Sequence, residues 1–228
     1  VSEKSVAVSE FKERLDRLYE DQIRKISDVE RKLQDLDHRL DSQHRMLEEY
    51  RKHQNTWRLI PEYVALRDEI NREFEKRNIS SKARFACEYV IGLKDEVWRD
   101  ALEAFLGPRR YTILVEPKYY DIADDVLNRS EHRYAHLFNT KLLMRRKVRV
   151  EEDSAVHMME IRNPAAKRYF EFQLGRMHAV SLGEVREFEN AISREGRVSV
   201  AMDSYFLRFD RIKAYYLGQK TFELNRIR

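Results

Sequence analysis

Residues 95–117, DEVWRDALEAFLGPRRYTILVEP, decide how this chain is read. Trp98, Ala101, Leu102 and Phe105 recur at steps of three and four, which places them on one face of a helix. Gly107 stands where a helix end wants a left-handed residue, and Pro108 forbids continuation. Tyr111, Thr112, Ile113, Leu114 and Val115 then form a β-branched and aromatic run that suits a covered strand. A helix over 95–106, a glycine stop and a buried strand over 111–116 are therefore expected to anchor a core. The sequence before this stretch reads as a rod, and the sequence after it as a globule.

Going back toward the N-terminus, the apolar residues follow a heptad rhythm. Phe11, Leu15, Leu18, Ile26, Val29, Leu33, Leu36, Leu40, Leu47 and Tyr50 mark the seam, with Gln43 filling one position. Alternating steps of four and three define a coiled-coil stripe. Two steps of four through Gln22 make a stutter, where the coil locally unwinds. Asn55, Thr56 and Pro61 break the rod. Tyr63, Leu66, Ile70 and Phe74 restart a shorter stripe that ends near residues 78–81. A stripe of about fifty residues needs a cover longer than this second helix, so the partner is expected to be another chain or a segment beyond Arg228. The chain opens on Val1, which suits a piece of a longer protein.

Going forward, residues 84–228 alternate between periods. Strands are expected at 85–93, 111–116, 135–139, 155–161, 178–181, 197–202, 205–209 and 214–217. Helices are expected at 95–106, 119–128, 164–174 and 183–193, with Pro164 in a first turn and Gly175 at a C-cap. The fold class is mixed α/β. The globule reads as two similar halves divided around residues 145–153, because a helix ending in Leu-Gly precedes a strand in each.

Composition narrows the functions. The 228 residues are 37% charged and 11% aromatic, so much of the chain is solvated surface while disorder is disfavoured. Mean hydropathy is −0.74. Residues 1–80 hold 17 Lys and Arg against 18 Asp and Glu, so the positive excess lies in the globule. That excess permits nucleic-acid contact without demanding it. The single cysteine, Cys87, has no disulfide partner in the chain and fits a cytoplasmic location and a place in the core. No apolar run reaches membrane-spanning length.

Searches for catalysis fail. The chain has no G-x-x-x-x-G-K-[ST] phosphate loop and only six glycines. His132 and His136, with Glu131 beside them, share a helix face at metal-ligand spacing, but they lack a third ligand and read better as a polar surface pair. No nucleophile elbow is present. No enzyme activity, cofactor or metal is expected. Lys141, Arg145, Arg146, Lys147 and Arg149 fall within nine residues without one acid, and Arg109 and Arg110 end the opening helix. Both groups are candidate duplex DNA contacts. A solvated linker, or neutralisation of a helix C-terminus, is the alternative. The short apolar strands at 197–202 and 214–217 are candidate sheet edges for a second copy, unless they pair with each other.

The layout resembles the hinge of SMC-like proteins, closest to the MukB-like and JetC-type ATPases of condensin-type and plasmid-defence (Wadjet) systems. The likeness is carried by residues 89–93 with Lys94, Asp95, Glu96 and Trp98, by the helix end at 101–107 and by the strand at 111–116. It continues through 169–175, Val180 and 193–196 with the strand that follows, covering most of residues 60–210. It implies a coiled-coil arm over 1–81 with a break near 55–61. A hinge-like domain would then span 82–228, with lobes at about 82–144 and 150–228. It implies further a returning arm after Arg228, distant ATPase heads, a nucleoid-associated setting, and two hinges joined by sheet edges from opposite lobes to entrap DNA. Val198, Val200, Tyr215, Leu217 and Gly218 are the implied dimerisation residues. Such hinges often carry a glycine pair near their end, whereas here Gly218 stands alone before Gln219 and Lys220.

Overall fold

The structure, a computed structural model, describes residues 14, 17, 19–41 and 57–227. Seam positions Phe11, Leu15, Leu18, Gln43, Leu47 and Tyr50, and the breakers Asn55 and Thr56, lie outside the described residues. The chain divides into two compact units, Val1–His53 and Gln54–Arg228.

In the first unit, residues 19–41 form one helix, α1. Its stripe residues Ile26, Val29, Leu33, Leu36 and Leu40 all stay more than half exposed. Apolar side chains at this spacing form the seam of a coiled coil.

The second unit includes α2 (Pro61–Lys76), in whose first turn stands Pro61, the residue expected to break the rod, where its missing N–H costs nothing. Leu66, Ile70 and Phe74, four residues apart on one face, are fully buried. Helix α2 therefore belongs to the globule's core, within the unit Gln54–Arg228. Strand β1 (Arg84–Phe85) follows, then a single 3₁₀ turn (Ala86–Tyr89), then β2 (Val90–Leu93). The continuous strand expected over 85–93 is broken because Glu88 folds back to accept the Phe85 amide at 2.6 Å.

The opening stretch folds as read, with adjustments. Asp95 caps a 3₁₀ turn (Glu96–Trp98), α3 spans Arg99–Leu106, and Gly107 stops it at φ 50°. The strand contracts to β3 (Ile113–Leu114), both residues buried, pairing antiparallel with β1. Leu137 makes only an isolated bridge to Ile113 where a strand over 135–139 was expected. Helix α4 (Tyr120–Arg129) packs on α2, and a short α5 (Thr140–Leu143) follows.

In the second half, Ser154 caps a 3₁₀ turn (Ala155–Met158) before β4 (Met159–Ile161), which pairs antiparallel with β2. Helix α6 spans Pro164–Leu174 as expected. Its C-cap, Gly175, keeps an ordinary right-handed φ of −57°. Glycine is needed there for proximity, because an added Cβ would lie 2.5 Å from the Arg149 carbonyl oxygen. Strands β5 (His178–Ala179), β6 (Ala191–Ile192), β7 (Arg197–Val200) and β8 (Asp203–Phe206) form a sheet in that order, parallel for β5 with β6 and antiparallel thereafter. The helix expected over 183–193 is only a 3₁₀ turn (Glu184–Glu187), because Ala191 and Ile192 are taken between β5 and β7. Helix α7 (Thr221–Ile227) closes the described chain.

The halves share one core. Phe74, Phe85, Leu102, Ile113, Tyr169, Phe170, Ile192 and Leu217 belong to a single buried cluster, and the β2–β4 pair joins the two halves directly.

Candidate association edge and basic turn

The expected strand at 214–217 is neither a strand nor an edge. It is an irregular segment whose backbone groups are held by side chains. Glu103, fully buried on α3, accepts the amides of Tyr216 and Leu217, each at 2.7 Å. Arg99 donates to the Leu217 carbonyl at 2.6 Å, and Asn225 both donates to and accepts from the Tyr215 backbone. The Tyr215 hydroxyl reaches the Asp100 carboxylate at 2.6 Å.

Arg110 completes this cluster. Its guanidinium pairs with Glu103, donates to the Gly107 carbonyl at 2.8 Å and lies against the rings of Tyr111 and Tyr216. Burial opposes its charge, but the Glu103 carboxylate together with the neighbouring Tyr111 and Cys87 side chains holds its pKa above the ordinary range. With 6% of its surface exposed, Arg110 is not available to a phosphate. Its expected DNA contact is withdrawn.

The dimerisation candidates separate in the same way. Leu217 is fully buried, and Gly218 packs inside the chain at φ 91°, where an added Cβ would meet the Gly92 Cα at 2.9 Å. The next amide, Gln219, donates to the Ile91 carbonyl at 2.9 Å, so this segment covers the outer edge of β2. Val198 is fully buried and Val200 partly so, on a strand paired on both sides. The open edge is the next strand, β8.

The pairing register shows what β8 offers. A two-residue connection, Ala201 and Met202, joins Val200 to Asp203, both connecting residues having positive φ. That is the geometry of a tight hairpin whose closing pair exchanges both hydrogen bonds. Alternation then turns Tyr205 toward Val198, consistent with the Leu207 amide reaching Gly196 at 2.8 Å and Arg197 giving its carbonyl to Ser193 on the β6 side. The backbone N–H and C=O groups of Ser204 and Phe206 consequently face away from β7, with no hydrogen-bond partner among the described residues. All four β8 residues are exposed, Phe206 at 61%, and Met202 at the tip is 80% exposed. An unpaired backbone row beside exposed apolar side chains is a template for a further strand. The apolar content of β7 had drawn attention to the wrong strand, since β8, DSYF, begins with two polar residues. The β4 edge, in the same half, is also unpaired on its outer side among the described residues.

The basic residues divide into tied and free. Lys141 pairs with Asp121, and Arg149 with Glu151 at 2.6 Å. Arg145, Arg146 and Lys147 are exposed and make no ion pair with a described residue. Arg168 of α6 donates to the carbonyls of Leu143 and Arg146, fixing the turn from below. Arg109 is exposed, with its guanidinium 5.9 Å from the Phe105 ring centre.

Other candidates are occupied by structure. His132 lies 3.5 Å from Glu69, while His136 packs edgewise on Tyr63. Among the described residues no cluster of three or more His, Cys, Asp or Glu is placed to hold a metal. Cys87 is buried, which pushes its thiol pKa up and keeps it protonated and inert. Among the described residues no helix is long and apolar enough to cross a membrane.

No protein-family model matches the chain, and no curated protein matches it. Solved structures similar to it include the hinge domain of the Pyrococcus furiosus SMC protein, 19% identical over 65% of this chain and 88% of that one, with a TM-score of 0.46. The Pyrococcus furiosus Smc hinge domain with an extended coiled coil is 20% identical over 89% and 76%, with a TM-score of 0.44. An asymmetric dimer of the Geobacillus stearothermophilus SMC hinge domain is 14% identical over 72% and 78%, with a TM-score of 0.41.

Proposed function

We propose that this chain is the non-catalytic dimerisation hinge, with part of its arm, of an SMC-like ATPase that entraps and moves or condenses DNA, of the kind found in plasmid defence. The observation that carries this reading is the open β8 edge, where Ser204 and Phe206 present unpaired backbone groups next to exposed Tyr205 and Met202. A second copy supplies the missing strand. The exposed α1 stripe calls for a returning arm. Duplex DNA meets the free cations Arg145, Arg146 and Lys147, with Lys141, Arg149 and Arg109 available at longer reach.

A second reading makes the coiled coil the dimerising element and the globule a nucleic-acid-binding module; the unpaired cations of the basic turn favour it. The two are separated by mass in solution. A chain lacking residues 1–53 is expected to sediment as a dimer at micromolar concentration. Ser204→Pro is expected to render it monomeric, because proline there removes only an outward donor and leaves the bonds to β7 intact. A monomeric 54–228 unit would end the hinge reading and favour the second.

A further inference from the structure

The free edge of β8 is short, and its own hydrogen bonds restrict what can fill it. Ser204 and Phe206 each present one N–H and one C=O away from β7. If that edge meets the same edge of a second copy about a twofold axis, the two strands run antiparallel, and the residue on the axis fixes the register. An axis at Ser204, Tyr205 or Phe206 keeps both residues within the ladder.

Bonds already made beside the edge separate the three. An axis at Ser204 sets Phe206 against Met202 of the second copy, whose amide is already donated to the Glu189 carbonyl at 3.2 Å. An axis at Phe206 sets Ser204 against Arg208, whose carbonyl takes the Arg211 amide at 3.1 Å as the chain turns into Phe209–Arg211. An axis at Tyr205 sets Ser204 against Phe206 in both directions, and every outward donor and acceptor of the two residues then finds a free counterpart. The side chains agree with this choice. Tyr205, 45% exposed, meets its own copy as a non-hydrogen-bonded pair, the position where side chains come closest. The two Asp203 residues are four residues out of step, roughly 14 Å apart, so like charges do not face each other.

We infer that the β8 edge takes as its partner the β8 edge of a second copy, antiparallel about a twofold axis at Tyr205, which joins two four-stranded sheets into one. This rests on the dimerisation reading above and names the edge that completes it.

The test is disulfide formation in the full 228-residue chain under mild oxidation, with mass in solution measured alongside. Cys87 is buried, so wild type is expected to stay unlinked. Across the inferred axis the two Tyr205 Cα atoms lie about 4.5 Å apart. Those of Ser204, and those of Phe206, lie roughly 8 Å apart, beyond the reach of a disulfide. Tyr205→Cys is therefore expected to form a linked dimer, while Ser204→Cys, Phe206→Cys and the exposed turn variant Met202→Cys stay unlinked. Linking at Ser204→Cys or Phe206→Cys in preference to Tyr205→Cys would overturn the axis. Equal linking at Met202→Cys would mean chance collision and overturn the strand pair. A dimeric chain that links at none of the four would overturn the β8 pair alone and leave dimerisation to another surface. A monomeric chain at micromolar concentration would overturn the pair and the dimerisation reading together.

Discussion

Glu103 shows how much one residue can organise. Its carboxylate takes two backbone amides of the C-terminal segment and faces two guanidiniums, Arg99 and Arg110, all in the interior. Replacing it with Ala leaves two buried cations and two buried amides without their acceptor. Such a change costs about 3–5 kcal/mol, and Glu103→Ala is expected to lower the urea midpoint accordingly. A loss below 1 kcal/mol would mean the segment is held by its apolar residues alone. Nothing in the local sequence marks this role. In DALEAFL a glutamate between apolar residues reads as the solvated side of an amphipathic helix, and the two amides it accepts lie more than 100 residues away. Arg110 was misread for the same reason: a charge near a helix end is ordinarily solvent-exposed.

At the scale of the element, helices were legible and strands much less so. Helix α6 is found at the residues expected of it, and α4 within two, because their periodicity, prolines and glycines are local signals. The strands are two to four residues long, and their identity rests on which neighbour they find. The β7–β8 hairpin is the sharpest case. Its connection uses Ala201 and Met202 at φ 51° and 69°, where side-chain-bearing residues are disfavoured by roughly 1–2 kcal/mol each. Replacing them with Asn and Gly should relieve that cost. Ala201→Asn/Met202→Gly is therefore expected to raise stability by about 1–2 kcal/mol in chemical denaturation. An unchanged or lower midpoint would show that the strain is already offset by contacts of Met202. Both strands are expected from the sequence, at 197–202 and 205–209, but without an Asn-Gly signal the turn is placed two residues late and the candidate edge falls on β7 instead of β8.

At the scale of the molecule, the helix that matters most is α2. Helix α2 reads as the last part of a rod because its stripe continues the character of the preceding residues. Leu66, Ile70 and Phe74 nevertheless lie in the same core as Phe85 and Tyr169. Each buried side chain of this size is worth roughly 1.5–3 kcal/mol. Losing three approaches the whole stability of a domain, about 5–15 kcal/mol. A chain starting at residue 54 is expected to unfold cooperatively, and one starting at residue 82 to lose that transition, as followed by circular dichroism on heating. Cooperative unfolding of the shorter chain would return α2 to the arm.

The sequence by itself determined the long amphipathic helix, the mixed α/β class, the helix and glycine stop at 99–107, and the apolar residues that fill the core. All of these follow from periodicity and backbone preference within a few turns of chain. Only the tertiary structure decided that α2 is core, that Arg110 and Gly218 are used internally, that residues 214–217 are clasped by α3, and that β8 is the free edge. Those depend on contacts between residues far apart in sequence, where a charge finds its counter-charge and a strand finds, or lacks, its neighbour.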